Sequence, residues 1–278
     1  MNIRKALDKA KKERAALESN SNAPKTSTGG NSFLPKNAAW NAPVYSESRT
    51  VSINMDTAVR NHCVALSPDF AEVDYYKILR TQLRQLGEKK AWNTIMVTSV
   101  SPGEGKTVTA INLAATFARE YSQTVLLVDA DLRRQSIHNY LGYSSEVGLL
   151  DCFEERLPMN EIIAWPGIEK FTIISGGRVV EESSELMGSP RMQAMVTELK
   201  SRYDDRYVIF DVPPVMAGAD ALAFAPLVDC IVLVVGTGAT RQQDLQKTLE
   251  MLPEEKIAGF VLNRYQGANQ LYRRYGKK

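Results

Sequence analysis

Three short stretches of this sequence hold side chains suited to handling phosphate. Gly103, Gly105, Lys106 and Thr107 lie in Ser101-Pro-Gly-Glu-Gly-Lys-Thr107. Asp129 and Asp131 alternate in Leu126-Leu-Val-Asp-Ala-Asp-Leu-Arg-Arg134, and Asp211 ends an apolar run in Val208-Ile-Phe-Asp-Val-Pro-Pro214. A glycine-containing turn before a helix points backbone N–H groups and the positive end of the helix dipole at an anion. A lysine at that point reaches outer phosphates, and a hydroxyl after it can ligate Mg2+. Two carboxylates two residues apart at a strand end can face one crevice, where they would handle a metal and its waters. A single Asp closing a buried strand matches the carboxylate that holds Mg2+ through water in phosphate-loop enzymes.

The elements needed to position these groups are legible around them. Ile95 to Val100 reads as a buried strand, and Val108 to Glu120 as a long helix with an apolar face. The strict pattern G-x-x-x-x-G-K-[ST] requires glycine at position 100, where this chain has Val100. The strand and helix on either side restore the context that the motif demands. Thr124 to Val128 and Tyr207 to Phe210 are unbroken apolar runs of the kind found in fully covered parallel strands. Further strands are expected at Phe171 to Ser175, Asp229 to Gly236 and Ile257 to Leu262. Helices are expected over 72–86, from Ser189-Pro190 to about Tyr203, and over 241–252, with a helical insert over 148–163. Val51, Ile53 and Val64 suggest a short edge strand. In the helix over 72–86, Val73, Tyr76, Leu79, Leu83 and Leu86 share one face, and periodicity puts Asp74, Lys77, Arg80 and Arg84 on a solvated one.

Alternating strands and helices from about 92 to 263 argue a doubly wound α/β domain with a mostly parallel sheet. The chain divides into a basic amphipathic helix over 1–18, a flexible linker and irregular arm over 19–70, a nucleotide-binding domain over 71–264, and a tail over 265–278. Its 278 residues carry a net charge of +2, which gives no global case for nucleic acid. No apolar run approaches the roughly 20 residues of a membrane span. The spacing of Cys63, Cys152 and Cys230 suits neither zinc nor a disulfide framework, so reduced, cytosolic thiols are expected. Tyr265, Tyr272 and Tyr275 stand in a polar tail that needs no burial.

Taken together, the three phosphate-handling stretches resemble the Walker A, A′ and B motifs of the bacterial protein-tyrosine kinases of exopolysaccharide and capsule synthesis. Gly148-Leu-Leu-Asp-Cys-Phe and Ser184-Glu-Leu-Met-Gly-Ser-Pro-Arg-Met192 are also similar, and all five stretches occur in the family's order. The resemblance implies a P-loop NTPase fold of the partition-ATPase-like type and an ATP- and Mg2+-dependent tyrosine autokinase. It places Gly103, Glu104, Gly105, Lys106, Thr107 and Val108 around the nucleotide, with Asn263 at the adenine. Thr107, Asp131 and Asp211 would hold the metal and its waters, and Asp129 would help take the proton from an attacking tyrosine. Tyr272, Tyr275 and Tyr265 would be phosphoacceptors, used in trans between copies. The family's E-x-x-R-x-x-R motif for subunit contacts is matched here by Asp74, Lys77 and Arg80, a departure in which Lys cannot replace the arginine fork.

The implied partners are the cytoplasmic end of a membrane polysaccharide chain-length protein, other copies of the chain, and a tyrosine phosphatase. The chain would then sit in the cytoplasm at the inner face of the membrane, with helix 1–18 as the docking piece. The competing reading is a partition- or division-site ATPase that switches assembly on nucleotide binding. Those proteins carry an extra lysine early in the loop, where this chain has Ser101.

Overall fold

The computed structural model describes residues 48–67, 70–180 and 183–265. The expected helix over 1–18, most of the linker, and Tyr272 and Tyr275 lie outside the described residues.

The apolar runs become the centre of one sheet. Its strands are β1 (Arg49–Thr50), β2 (Thr94–Ser99), β3 (Thr124–Asp129), β4 (Ile163–Trp165), β5 (Phe171–Ile174), β6 (Arg206–Asp211), β7 (Cys230–Gly236) and β8 (Ile257–Asn263). They lie in the order β1-β4-β5-β3-β6-β2-β7-β8. Every neighbouring pair is parallel except β4 and β5. Strands β2, β3, β6 and β7 are buried along their whole length, as expected of a sheet covered on both faces.

Alternation along these strands divides the core in two. Val97, Leu127, Ile209 and Val232 face one side, where α3 (Lys106–Ala118) contributes Ile111, Leu113 and Phe117. Met96, Leu126, Val208 and Phe210 face the other, against Met192, Met195, Val196 and Leu199 of α8 (Pro190–Ser201). Helix α8 begins as its sequence demands, with Ser189 Oγ accepting from the Met192 amide and Pro190 in the first turn. The other helices are α1 (Met55–Arg60), α2 (Val73–Lys90), α4 (Ile137–Leu141), α5 (Leu149–Phe153), α6 (Met159–Ile162), α7 (Ser184–Met187), α9 (Asp220–Phe224) and α10 (Gln242–Met251). Among the described residues, no helix is long and apolar enough to cross a membrane.

Several elements differ from the sequence expectation. The edge strand is Arg49–Thr50, while Val64 lies in a 3-10 turn, Val64–Leu66. The expected helical insert over 148–163 is two short helices followed by β4, too short a strand to leave a periodic signal. Within 19–70, expected as linker and irregular arm, residues 48–67 form β1, α1 and the 3-10 turn and bury Ala58, Cys63 and Ala65. The polar composition there hides the anchor, which is Asn112 in the middle of α3. Its Oδ1 accepts from the Ala65 amide at 2.7 Å, and its Nδ2 donates to the His62 carbonyl at 2.9 Å. The solvated-face reading of α2 holds for Asp74 and Lys77, which are about half exposed and pair at 2.8 Å. It fails for Arg80, whose side chain is 15% exposed, sits 2.7 Å from Glu120 and donates to the Thr116 carbonyl at the end of α3.

The far end of the sheet, away from the carboxylates, is tied by Asp229. Its Oδ2 accepts from the amides of Asn93 and Thr94, each at 3.0 Å, and from the Thr94 hydroxyl at 2.8 Å, while Oδ1 pairs with Lys200. Burial alone would raise its pKa, but Lys200 and the donors from Asn93 and Thr94 outweigh burial and hold it below the ordinary carboxylate value. Asp229→Ala should cost about 2–3 kcal/mol at neutral pH, since it leaves several half-buried donors unmade. A depressed folded pKa gives stability that is full above the unfolded value of about 4 and lost as pH falls through the folded one. Urea denaturation at pH 7 and pH 3 should therefore show the wild-type advantage shrinking at pH 3.

Candidate active site

At the carboxyl ends of β2, β3 and β6, the three motif stretches meet. The turn between β2 and α3 is held in a shape that suits its glycines. Gly103 and Gly105 have φ of 81° and 95°, the left-handed region that glycine adopts without strain. A side chain at Gly105 would also collide with Asn263, because a Cβ there would lie 2.0 Å from Asn263 Nδ2. Asn263 braces the turn by donating to the Glu104 carbonyl at 2.8 Å, and the Arg264 guanidinium reaches the Gly103 carbonyl. Glu104 points away from any ligand. It is buried, accepts from the Ser101 amide at 3.0 Å, and takes a hydrogen bond from the Thr240 hydroxyl. Val100, the departure from the strict motif, is fully buried against Leu233 and Val235 of β7. The position that usually holds a glycine is used here for core packing.

Lys106 opens α3 and sits between two carboxylates, with Nζ 2.9 Å from Asp131 Oδ2 and 3.0 Å from Asp211 Oδ1. Thr107 Oγ1 donates to Asp211 Oδ2 at 2.6 Å and shares a hydrogen bond with Ser136 Oγ at 3.0 Å. Asp129 and Asp211 are register partners at the ends of adjacent strands, and both are fully buried. Asp129 accepts from the amides of Ile137, at 3.0 Å, and Asp131, at 3.3 Å, and so holds the turn that presents Asp131.

The electrostatics follow from crowding three carboxylates around one ammonium. Burial pushes Asp129 up to about 8, and the neighbouring Asp211 charge adds to it; the Ile137 amide and Lys106 pull the other way. Asp211 is also raised, burial outweighing the help of Lys106 and the Thr107 hydroxyl. Burial works against the Lys106 ammonium, yet Asp211 and Asp131 together outweigh it and hold the lysine charged.

A pocket of about 340 Å3 opens over these groups. The glycines of the turn, Lys106, Thr107 and Asp131 line one part of it, and Arg133, Arg134, Ser136, Tyr140, Pro213, Pro214 and Ala217 the rest. Of the residues expected at the nucleotide, Gly103, Gly105, Lys106, Thr107 and Asp131 line the pocket. Asp129 and Asp211 lie behind it, while Glu104, Val108 and Asn263 are not among its lining residues. Tyr265 is 68% exposed just past β8. Asp74, Lys77 and Arg80 belong to α2, outside this pocket. Ser136 and Tyr140 carried no sequence signal, because no motif spacing reaches across the turn that follows Asp131.

The comparisons with known proteins agree with this geometry. Residues 95–275 match the CobQ/CobB/MinD/ParA nucleotide binding domain. The chain is 31% identical over 206 residues to the tyrosine-protein kinase YwqD of Bacillus subtilis, covering 73% of this chain and 86% of that one. It is 30% identical over 214 residues to the tyrosine-protein kinase CpsD of Streptococcus pneumoniae, covering 74% and 92%. The kinase domain of the Escherichia coli tyrosine kinase ETK superposes with a TM-score of 0.67 at 28% identity, over 82% of this chain and 93% of that domain. The cell division ATPase MinD of Pyrococcus furiosus superposes with a TM-score of 0.53 at 25% identity, over 63% and 73%. Coverage of most of YwqD and CpsD, with the stronger superposition on a kinase domain, separates this chain from the division ATPases of the same fold: it belongs to the bacterial tyrosine-protein kinases.

Proposed function

We propose that this protein is an ATP- and Mg2+-dependent tyrosine autokinase that phosphorylates its own C-terminal tail in trans. The observation that carries the reading is the convergence of the Lys106 ammonium and the Thr107 hydroxyl on Asp131 and Asp211 at the floor of one pocket. The donor set fits magnesium, a hard cation that takes hydroxyl, carboxylate and phosphate oxygens. Among the described residues, no group of three or more His, Cys, Asp or Glu side chains could hold a metal unaided. A magnesium ion shared with substrate phosphates needs only one or two carboxylates. When bound, it would neutralise developing charge on the transferring group.

The chain's own residues supply the rest. Lys106 and the α3 N-terminus provide fixed positive charge for the outer phosphates, and Thr107 and Asp211 orient the metal side. A phenol near pKa 10 needs a carboxylate to accept its proton at neutral pH. The expectation gave that role to Asp129 and a metal role to Asp131; because Asp129 is fully buried and Asp131 lines the pocket, we assign the proton-accepting role to Asp131 instead. Asp129, buried behind it, supports the turn and shares the proton load of the cluster. Tyr272 and Tyr275, in the polar tail that follows Tyr265, are the acceptors we propose, used in a neighbouring copy's site.

The working partner we propose is the cytoplasmic end of a membrane polysaccharide chain-length protein, with a tyrosine phosphatase resetting the tail and the basic segment 1–18 docking the chain at the inner membrane face. The match to E. coli etk covers 71% of this chain but 27% of that longer protein.

Two outcomes test this reading. Purified protein incubated with Mg2+ and ATP should acquire phosphate on Tyr272 or Tyr275 by mass spectrometry, and Lys106→Met should lose at least about 100-fold of it with an unchanged circular dichroism spectrum. Bound nucleotide with no phosphotyrosine, even with the partner's cytoplasmic end added, would favour the assembly-switch ATPase instead. The second concerns Asp129 in chelator-treated, nucleotide-free protein. A carboxyl whose folded pKa is raised makes the folded state progressively less stable as pH climbs from the unfolded value near 4 towards about 8. Asp129→Asn should therefore raise Tm over wild type by more at pH 8.5 than at pH 5, with Asp211, Asp131 and Lys106 still in place.

A further inference from the structure

The turn that carries Asp131 also carries Arg133, a second cation at the same pocket that the mechanism above leaves unused. Its guanidinium is not left to wave in solvent. Arg133 Nε donates to Ser183 Oγ at 3.0 Å, and Nη2 lies 3.3 Å from Asp220 Oδ2. The Ser183 hydroxyl in turn donates to the other carboxylate oxygen, Asp220 Oδ1, closing a ring of three side chains. Asp220 is 1% exposed and Ser183 fully buried, whereas Arg133, which lines the pocket, keeps 39% of its side chain exposed. Gly218 makes room for the arrangement: a Cβ there would lie 3.2 Å from Asp220 Oδ2 and 3.4 Å from Arg133 Nη1.

A buried carboxylate is costly, and this one stands at the start of α9, six residues past the Pro214 that ends the third motif stretch. Directly and through Ser183 it holds one edge of the guanidinium, that of Nε and Nη2, and so fixes the plane and reach of a group that is otherwise rich in rotamers. What remains is a charged fork held in advance on the wall of a phosphate pocket. Cations held in this way stabilise charge on a transferring phosphoryl group without a reorganisation cost at the moment of reaction. Arg134, its neighbour, lines the pocket as well, with its amide bonding to Asp131.

We propose that Arg133 is a catalytic residue that clamps the terminal phosphate of the bound nucleoside triphosphate in the pocket it lines together with Lys106, and that Asp220 and Ser183 are its positioning residues. The inference rests on the triphosphate-dependent kinase reading for its substrate. It assigns to α9 a function in the reaction, transmitted wholly through one guanidinium.

The test compares wild type, Arg133→Ala, Arg133→Lys, Asp220→Asn and the Arg133→Ala/Asp220→Asn double variant. Calorimetry gives the affinity for ADP and for a non-hydrolysable ATP analogue with Mg2+, and tail phosphorylation gives kcat and KM. Arg133→Ala should erase about tenfold of the preference for the triphosphate and lower kcat about 100-fold, with ADP affinity changed less than threefold. Arg133→Lys, which keeps the charge without the fork, should fall between the two. Asp220→Asn should act in the same direction, more weakly, and should have no further effect in the Arg133→Ala background. An unchanged triphosphate preference in Arg133→Ala and Arg133→Lys overturns the clamp. An equal loss from Asp220→Asn with and without Arg133 overturns the positioning role. Should wild type bind the triphosphate analogue and yet form no phosphotyrosine, the kinase reading fails, and the binding arm still decides the clamp.

Discussion

The structure depends on a charge problem at the ends of its central strands. Asp129 and Asp211 are forced side by side by strand register, with Asp131 just beyond at the pocket, and all three are buried. Without a cation the arrangement would be too costly to keep ionised. Lys106 supplies one, within 3.0 Å of two of the three carboxylates. The residual strain shows in the raised Asp129 and Asp211. A site that is short of positive charge is one that gains on binding a divalent cation, so the same crowding that weakens the empty fold prepares it for a metal-bound phosphate.

The rest of the fold keeps those groups from moving apart. Helix α3 carries Lys106 and Thr107 at its first turn, and nearly every later residue on it is buried. Asn112 ties it to the segment before α2, and Arg80 and Glu120 tie its far end to α2. Asn263 and Arg264, from the last strand, brace the turn from the opposite side. The phosphate turn is therefore fixed by residues from both ends of the described chain. That also explains why a non-glycine at position 100 is tolerated. With Val100 packed against β7 and the turn braced at Gly105, the conformational freedom needed at the motif's start is replaced by packing.

Much of this was legible in the sequence, for identifiable reasons. Buried parallel strands announce themselves as unbroken apolar runs, so β2, β3, β6 and β7 and the carboxylates at their ends could be placed. Gly103, Gly105, Lys106 and Thr107 are read from the turn because backbone conformation and residue type are tied there. β4 escaped because three residues are too few to set a period and its antiparallel direction has no local cause. Asn112 and Arg80 escaped because a polar side chain on a helix is read as solvated unless its partner is known. Asn112's partners lie about 50 residues away, and Arg80 is separated from Glu120 by 40 positions. The Arg133–Ser183–Asp220 ring was hidden for the same reason, since no spacing rule links three separate segments.

The pairing of Arg80 also bears on how copies of this chain could meet. Of the three residues matching the family's subunit-contact motif, Arg80 is committed within its own chain to Glu120 and the Thr116 carbonyl. An arginine held at two points against α3 cannot leave to join a neighbour without giving up its pair with Glu120, which Arg84 also meets at 3.3 Å, and leaving a helix-end carbonyl unmet at about 1–3 kcal/mol. Asp74 and Lys77 stay at the surface, joined by a single exposed contact worth at most about 1 kcal/mol. Tyr75 and Ile78 on the same helix are 40% and 47% exposed and add apolar area there. A subunit contact through this face would therefore draw its specificity from Asp74 and Lys77 and its energy from Tyr75 and Ile78. Arg80 would act as a strut that fixes the helix, and with it the carbonyl end of α3, whose other end carries the phosphate turn. A contact made through this face would then be linked to the nucleotide site through α3.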